Sequence, residues 1–231
     1  MNMKSAFLFV AVLLMAQTTG GAADLWKARP VKEWNREETE RFLRDSPWVE
    51  HVTTMSLAGP SMNPMDNEGR RDPLGGDLQS RDAQRMRQRA VYFIEWSSAK
   101  VVRQANWHME ALMGQAVNED VEPPPLPLYV LSVKGVYLAA FANLSKADVL
   151  KGVSLRLKHA KTTLAATDAV IRKTPEGKVV AVQFAFPRLL DGKPTISAEE
   201  KSVEFVCKAG HLSLKADFKL AKMTTGHGLD L

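Results

Sequence analysis

The sequence predicts an α+β fold: a mainly antiparallel sheet with one long amphipathic helix packed on it and a peripheral N-terminal helix. Three observations carry this. Residues 178–220 read as consecutive strands and hold most of the apolar content of the C-terminal half. Residues 99–116 repeat Ala99, Val102, Ala105, Met109, Leu112, Met113 and Ala116 at helical spacing. Residues 35–45 open on Asn35, a good N-cap, with Glu37 and Glu38 in the first turn at the positive end of the helix dipole.

The strands follow from alternation. In residues 178–186, Val180, Val182, Phe184 and Phe186 share one face, and the other face is small or half-polar, as expected of a strand interior to its sheet. The run 167–172 joins it through Thr174-Pro175-Glu176-Gly177, which is turn chemistry. Pairing Lys173 with Lys178 sets Ile171 opposite Val180 and Ala169 opposite Val182. Asp191-Gly192-Lys193-Pro194 is another turn.

The last hairpin admits two registers. A three-residue loop sets Cys207 opposite His211, a thiolate–imidazole pair or half a metal site. It also sets Phe205 against Ser213 and Val203 against Lys215. A two-residue loop, Ala209-Gly210, matches Cys207 with Leu212, Phe205 with Leu214, Val203 with Ala216, and Glu204 with Lys215. The apolar match selects the second register and makes Cys207 a small buried hydrophobe.

The N-terminus bears on compartment. Lys4 is the only charge in residues 1–23, 6–16 are almost wholly apolar, and Gly21-Ala22-Ala23 offers small residues before Asp24. This pattern predicts a secretory signal peptide cleaved after Ala23, and hence a periplasmic or extracellular protein with no transmembrane segment after cleavage. Residues 24–80 are expected to form an N-terminal helix and strand segment followed by a flexible loop, and 81–231 the α+β domain. Removing 1–23 leaves 30 basic against 26 acidic residues and a net charge of +4, too mild to imply nucleic-acid binding. The single cysteine excludes an intramolecular disulfide.

The remaining elements follow in order. Trp26, Trp34 and Trp48 are expected to pack the 35–45 helix onto the domain rather than to line a groove. Residues 48–54 and 90–96 alternate as strands. Residues 59–80 have no periodicity; Met62 and Met65 there offer thioethers to Cu(I), but an ordinary loop is the preferred reading. Arg81, Arg85, Arg87 and Arg89 form a solvated positive stretch rather than an anion site. His108 and Glu110, two apart on a helix, diverge too far to share a metal. Pro123-Pro124-Pro125-Leu126-Pro127 is a stiff spacer. Residues 128–134 form a strand, with a right-handed parallel crossover from 90–96 as one connection. Ser145 opens a short helix to Lys151, and 154–158 is a short strand.

Asp45-Ser46-Pro47-Trp48, Glu95-Trp96-Ser97-Ser98-Ala99, Phe186-Pro187-Arg188, Val203-Glu204-Phe205 and Phe218-Lys219-Leu220 together resemble a group of uncharacterised exported bacterial proteins. The resemblance implies export and a bacterial source, and no activity.

No nucleophile elbow, phosphate-binding loop, dinucleotide fingerprint, zinc-ligand cluster or calcium loop is present. No catalytic, cofactor-binding or metal-ligating residues are therefore predicted. The leading expectation is a non-enzymatic periplasmic or secreted protein that binds a partner, such as another envelope protein, or supports envelope assembly. The alternative is a hydrolase-type enzyme whose site residues converge only in the fold.

Overall fold

The computed structural model describes residues 25–57, 87–135, 138–197 and 199–231. The expected signal segment, Met62, Met65, Arg81 and Arg85 lie outside the described residues. The fold is α+β with antiparallel pairing throughout its ladders.

The helices among the described residues are α1 (Leu25–Ala28), α2 (Arg36–Arg44), α3 (Lys100–Leu112) and α4 (Lys146–Lys151). The main strands are β1 (Val49–Leu57), β2 (Arg87–Glu95), β3 (Leu128–Gly135), β4 (Val153–Leu157), β5 (Thr162–Ala165), β6 (Asp168–Lys173) and β7 (Val179–Pro187). A small hairpin of β8 (Leu189–Leu190) and β9 (Lys193–Pro194) follows, then β10 (Ser202–Ala209) and β11 (Leu212–Lys219). One sheet has the order β1-β2-β3-β7-β6 and the other β11-β10-β4-β5.

The sheets face each other across one apolar core. Phe184 of β7 meets Phe205 of β10 at a ring separation of 5.9 Å, and Trp96, just after β2, meets Phe218 of β11 at 5.3 Å. Ile94, Leu131, Val133, Val182 and Leu155 complete that core. Trp26, Trp34, Phe42 and Trp48 form a contiguous aromatic cluster, so the tryptophans pack α2 in place as expected.

α2 carries a full capping box, with the Asn35 side chain on the Glu38 amide and the Glu38 carboxylate on the Asn35 amide. α3 ends at Leu112, short of the expected Ala116. Gly114 takes φ +82°, its amide bonds the Ala111 carbonyl, and the Gln115 amide bonds that of Glu110. This left-handed closure terminates the helix, leaving Met113 54% exposed. The buried face is Val101, Val102, Ala105 and His108, and it packs against α2 and the turn Val31–Glu33 rather than across a sheet.

The parallel crossover is not formed: β2 and β3 pair antiparallel, with Glu95 opposite Ser132. α3 carries the chain about 20 Å away. The proline-rich linker returns it along the helix, held by Lys100 to Glu122 (2.7 Å) and by Arg103 donating to the Pro124 carbonyl (2.6 Å). β3 thus starts at the end where β2 stopped.

Two ladders differ from expectation by two residues each. Ile171 faces Val182 and Ala169 faces Phe184, with an irregularity beside Lys173, which pairs with Val179. The extra residue lets Val179 and Val182 both turn inward and leaves Val180 exposed. In the last hairpin the loop is Gly210-His211, so Cys207 faces Leu214, Phe205 faces Ala216 and Val203 faces Phe218. Gly210, at φ +55°, supplies the positive φ at the first loop position that Ala209 would take only with strain. Glu204 stands opposite Asp217, not Lys215, and pairs with Arg156 of β4 at 3.2 Å. A two-residue shift preserves the face, and Cys207 is fully buried.

Candidate functional site

The five-stranded sheet buries one face against the other sheet. Its opposite face carries a cross-strand row running Val49, Glu95, Ser132, Gln183, Val170 over all five strands, and beside it a row of His51, Phe93, Lys134, Ala181, Arg172. Ser132 interrupts the apolar run Leu128–Val133 of β3, and Gln183 is the polar residue of β7. The antiparallel register brings them side by side with Glu95.

A continuous hydrogen-bonded chain results. Lys134 Nζ donates to Glu95 Oε2 and Ser97 Oγ donates to Glu95 Oε1, both at 2.7 Å. Ser97 Oγ and Ser132 Oγ lie 2.6 Å apart. Because the Ser97 proton goes to the carboxylate, Ser132 is the donor in that pair. Ser132 Oγ in turn accepts from Gln183 Nε2 at 3.3 Å, and Gln183 Oε1 accepts from Arg172 Nε at 3.0 Å. Donation therefore runs one way, from Arg172 through Gln183, Ser132 and Ser97 to Glu95, with Lys134 donating from the other side. Two cations bracket one carboxylate, and each link fixes the next.

Glu95 is only 3% exposed although it lies on this face, between Val49 and Ser132. Its carboxylate accepts one hydrogen bond on each oxygen, from Ser97 and from Lys134. At the rim, Val170 is 50% exposed, Val91 is exposed, Arg172 reaches solvent, and His51 packs edge-on against Phe93 at 4.8 Å. Four open grooves of about 240–580 Å³ lie elsewhere among the described residues, and none of these is lined by a member of the hydrogen-bonded row. The arrangement can present a rigid, net positive polar strip with apolar margins.

Residues weighed in the sequence fall elsewhere. Cys207 points into the core and His211 sits exposed in a turn, so the thiolate–imidazole pair is not assembled. His108 is buried, with Nε2 2.8 Å from the Trp34 carbonyl and Nδ1 on the Glu119 carboxylate. Glu110 is not a partner of His108. Arg89 is exposed. Among the described residues no group of three or more His, Cys, Asp and Glu could hold a metal ion, and no helix is long and apolar enough to cross a membrane. Glu95, Ser97, Ser132, Lys134 and Gln183 were not singled out as a site by sequence. The available signal was a polar residue at matching phase in three neighbouring strands. Compared with protein-family models, curated proteins and solved structures, the chain gives no match.

Proposed function

We propose that this chain is a non-enzymatic, exported protein that binds a partner in the envelope or outside the cell through the outer face of the five-stranded sheet. The observation that carries the reading is the one-way donor chain from Arg172 to Glu95, flanked by exposed valines. A pre-fixed polar strip loses little side-chain entropy on binding, and apolar margins supply the area. Its two cations favour a partner with acidic or carbonyl groups along the contact. The outer face of the other sheet, with Arg156–Glu204 and Lys158–Asp217 pairs, is an ordinary solvated surface.

A photo-crosslinking residue at Val91, Phe93 or Val170, in cells producing the chain, should give adducts of defined mass. The same residue at Lys208 or Lys215, on the other sheet, should not. Equal labelling from both sheets would defeat the reading. Export is tested separately by fusing residues 1–23 to a reporter active only outside the cytoplasm; an inactive fusion, or secreted chains not starting near Asp24, would remove that part. The hydrolase alternative is favoured by the meeting of Ser97, Glu95 and Lys134. Turnover of an ester or amide substrate that Ser97→Ala abolishes would establish it.

A further inference from the structure

β8 and β9 form a closed hairpin, with Leu189 opposite Pro194, Leu190 opposite Lys193, and the Thr195 amide bonding the Arg188 carbonyl at 2.9 Å. Asp191 and Gly192 take φ of +52° and +75°, the signs a tight two-residue turn requires. Consecutive strand residues point to opposite faces. Leu189 is 59% and Leu190 61% exposed, so the hairpin stands open on both sides. A flat surface would cover one leucine only; a groove covers both.

Such a groove lies at the hairpin's own base. It measures about 410 Å³, and its apolar lining is Pro123, Pro125, Leu126, Leu229 and Leu231; three cations, Lys100, Arg103 and Arg188, and two carboxylates, Glu122 and Asp230, line it as well, a net side-chain charge of +1. Leu229 is itself a large exposed apolar side chain. Lys100 is paired with Glu122. Arg103 donates to the Pro124 carbonyl and makes no ion pair among the described residues. Burial and then the neighbouring Arg188 guanidinium lower its pKa, with Asp230 opposing. An added carboxylate would be favourable there.

Knob and groove match in chemistry: two leucines against two prolines and three leucines, and Asp191 against Arg103, where the Arg188 guanidinium outweighs the Asp230 carboxylate. Strand rise puts Asp191 about 10 Å beyond Arg188. Within one chain the leucines stay outside the groove. A two-fold axis beside Arg188 brings each hairpin over the other copy's groove, and such a contact closes at two subunits. We infer that two copies of this chain exchange their β8–β9 hairpins, each seating Leu189 and Leu190 in the partner copy's proline-lined groove with Asp191 against Arg103.

Light scattering on the purified chain should give twice the mass of one chain. Asp191→Arg and Arg103→Asp should each weaken the dimer at least about tenfold while keeping the wild-type circular dichroism. An equimolar mixture of the two variants, and the double variant in one chain, should restore it, because both arrangements recreate opposite charges at each contact. A monomer at every concentration up to the millimolar range overturns the proposal. So does a dimer indifferent to both substitutions, or a loss that neither the mixture nor the double variant repairs.

Discussion

Asp230 caps α3 from far along the chain: Oδ1 accepts from the Lys100 amide at 2.7 Å and Oδ2 from the Val101 amide at 2.9 Å. Ala99, at the N-cap position, has no side chain that can do this. The Asp230 carbonyl also accepts from Trp48 Nε1 at 2.7 Å, and its amide donates to the Met223 carbonyl at 3.0 Å, so one residue ties the helix, the aromatic cluster and the segment after β11 together. Asp230→Ala should lower stability by about 1–2 kcal/mol in urea titrations, and Asp230→Asn by less, since the amide keeps an acceptor but loses the charge favoured at a helix start. An unchanged midpoint for Asp230→Ala would show that the cap contributes nothing.

Glu50 of β1 lies in the groove beside Asp217 and Lys219 of β11 and Lys222 in the turn that follows it. Burial, and then the Asp217 carboxylate, raise its carboxyl above the ordinary 4.5, against smaller opposing effects of His51 and the two lysines. A folded-state value above the unfolded one favours the protonated form. That stability is present in full below about pH 4.5 and is lost as pH rises through the folded value. Glu50→Gln, which cannot ionise, should therefore be more stable than wild type at pH 7 and equal to it in acid. Thermal melts at the two pH values test this, and a constant difference would contradict it.

Glu95 anchors the polar row of the outer sheet face. Removing it leaves the Ser97 hydroxyl and the Lys134 ammonium without their acceptor next to a largely buried site. Glu95→Ala should cost about 2–4 kcal/mol by chemical denaturation. Ser132→Ala should cost less, since it breaks the row but strands no charge. Equal costs for the two would show that stranding the Lys134 charge adds no penalty.

How much of this could be read beforehand depends on the range of the cause. The Asn35 capping box, the turn at Asp191-Gly192 and the inward phase of Cys207 are local or depend on parity, and the residues state them. The α3 terminus was also legible, because Gly114 marks it, but the apolar repeat running on through Ala116 masked the glycine. Register was not legible to better than two residues. A shift of two keeps every face, so apolar matching cannot detect it; the bulge at Val180 and the preference of Gly210 for the first loop position decide it. The polar row was hidden for a related reason. Ser132 and Gln183 read singly as blemishes in apolar strands, and only the non-local ladder sets them beside Glu95.

Cys207 gives the sharpest test of the hairpin. It lies between Leu214 of β11 and Val153 of β4, fully buried, and burial pushes its thiol from 9.0 up to about 12. Since the thiolate is the nucleophile, a native chain should resist thiol reagents and react only on unfolding. Cys207→Ser should destabilise by about 1–3 kcal/mol by placing a hydroxyl among apolar neighbours, and Cys207→Ala by a similar or smaller amount. The pH dependence has a definite sign. The unfolded thiol ionises first, so the contribution of wild-type Cys207 is whole below pH 9.0 and falls as pH rises toward about 12. Wild type should therefore lose stability relative to Cys207→Ala across that window, and the two should run parallel below it. Rapid labelling of the native protein, at a rate near that of the unfolded chain, would show that the strand does not bury this face.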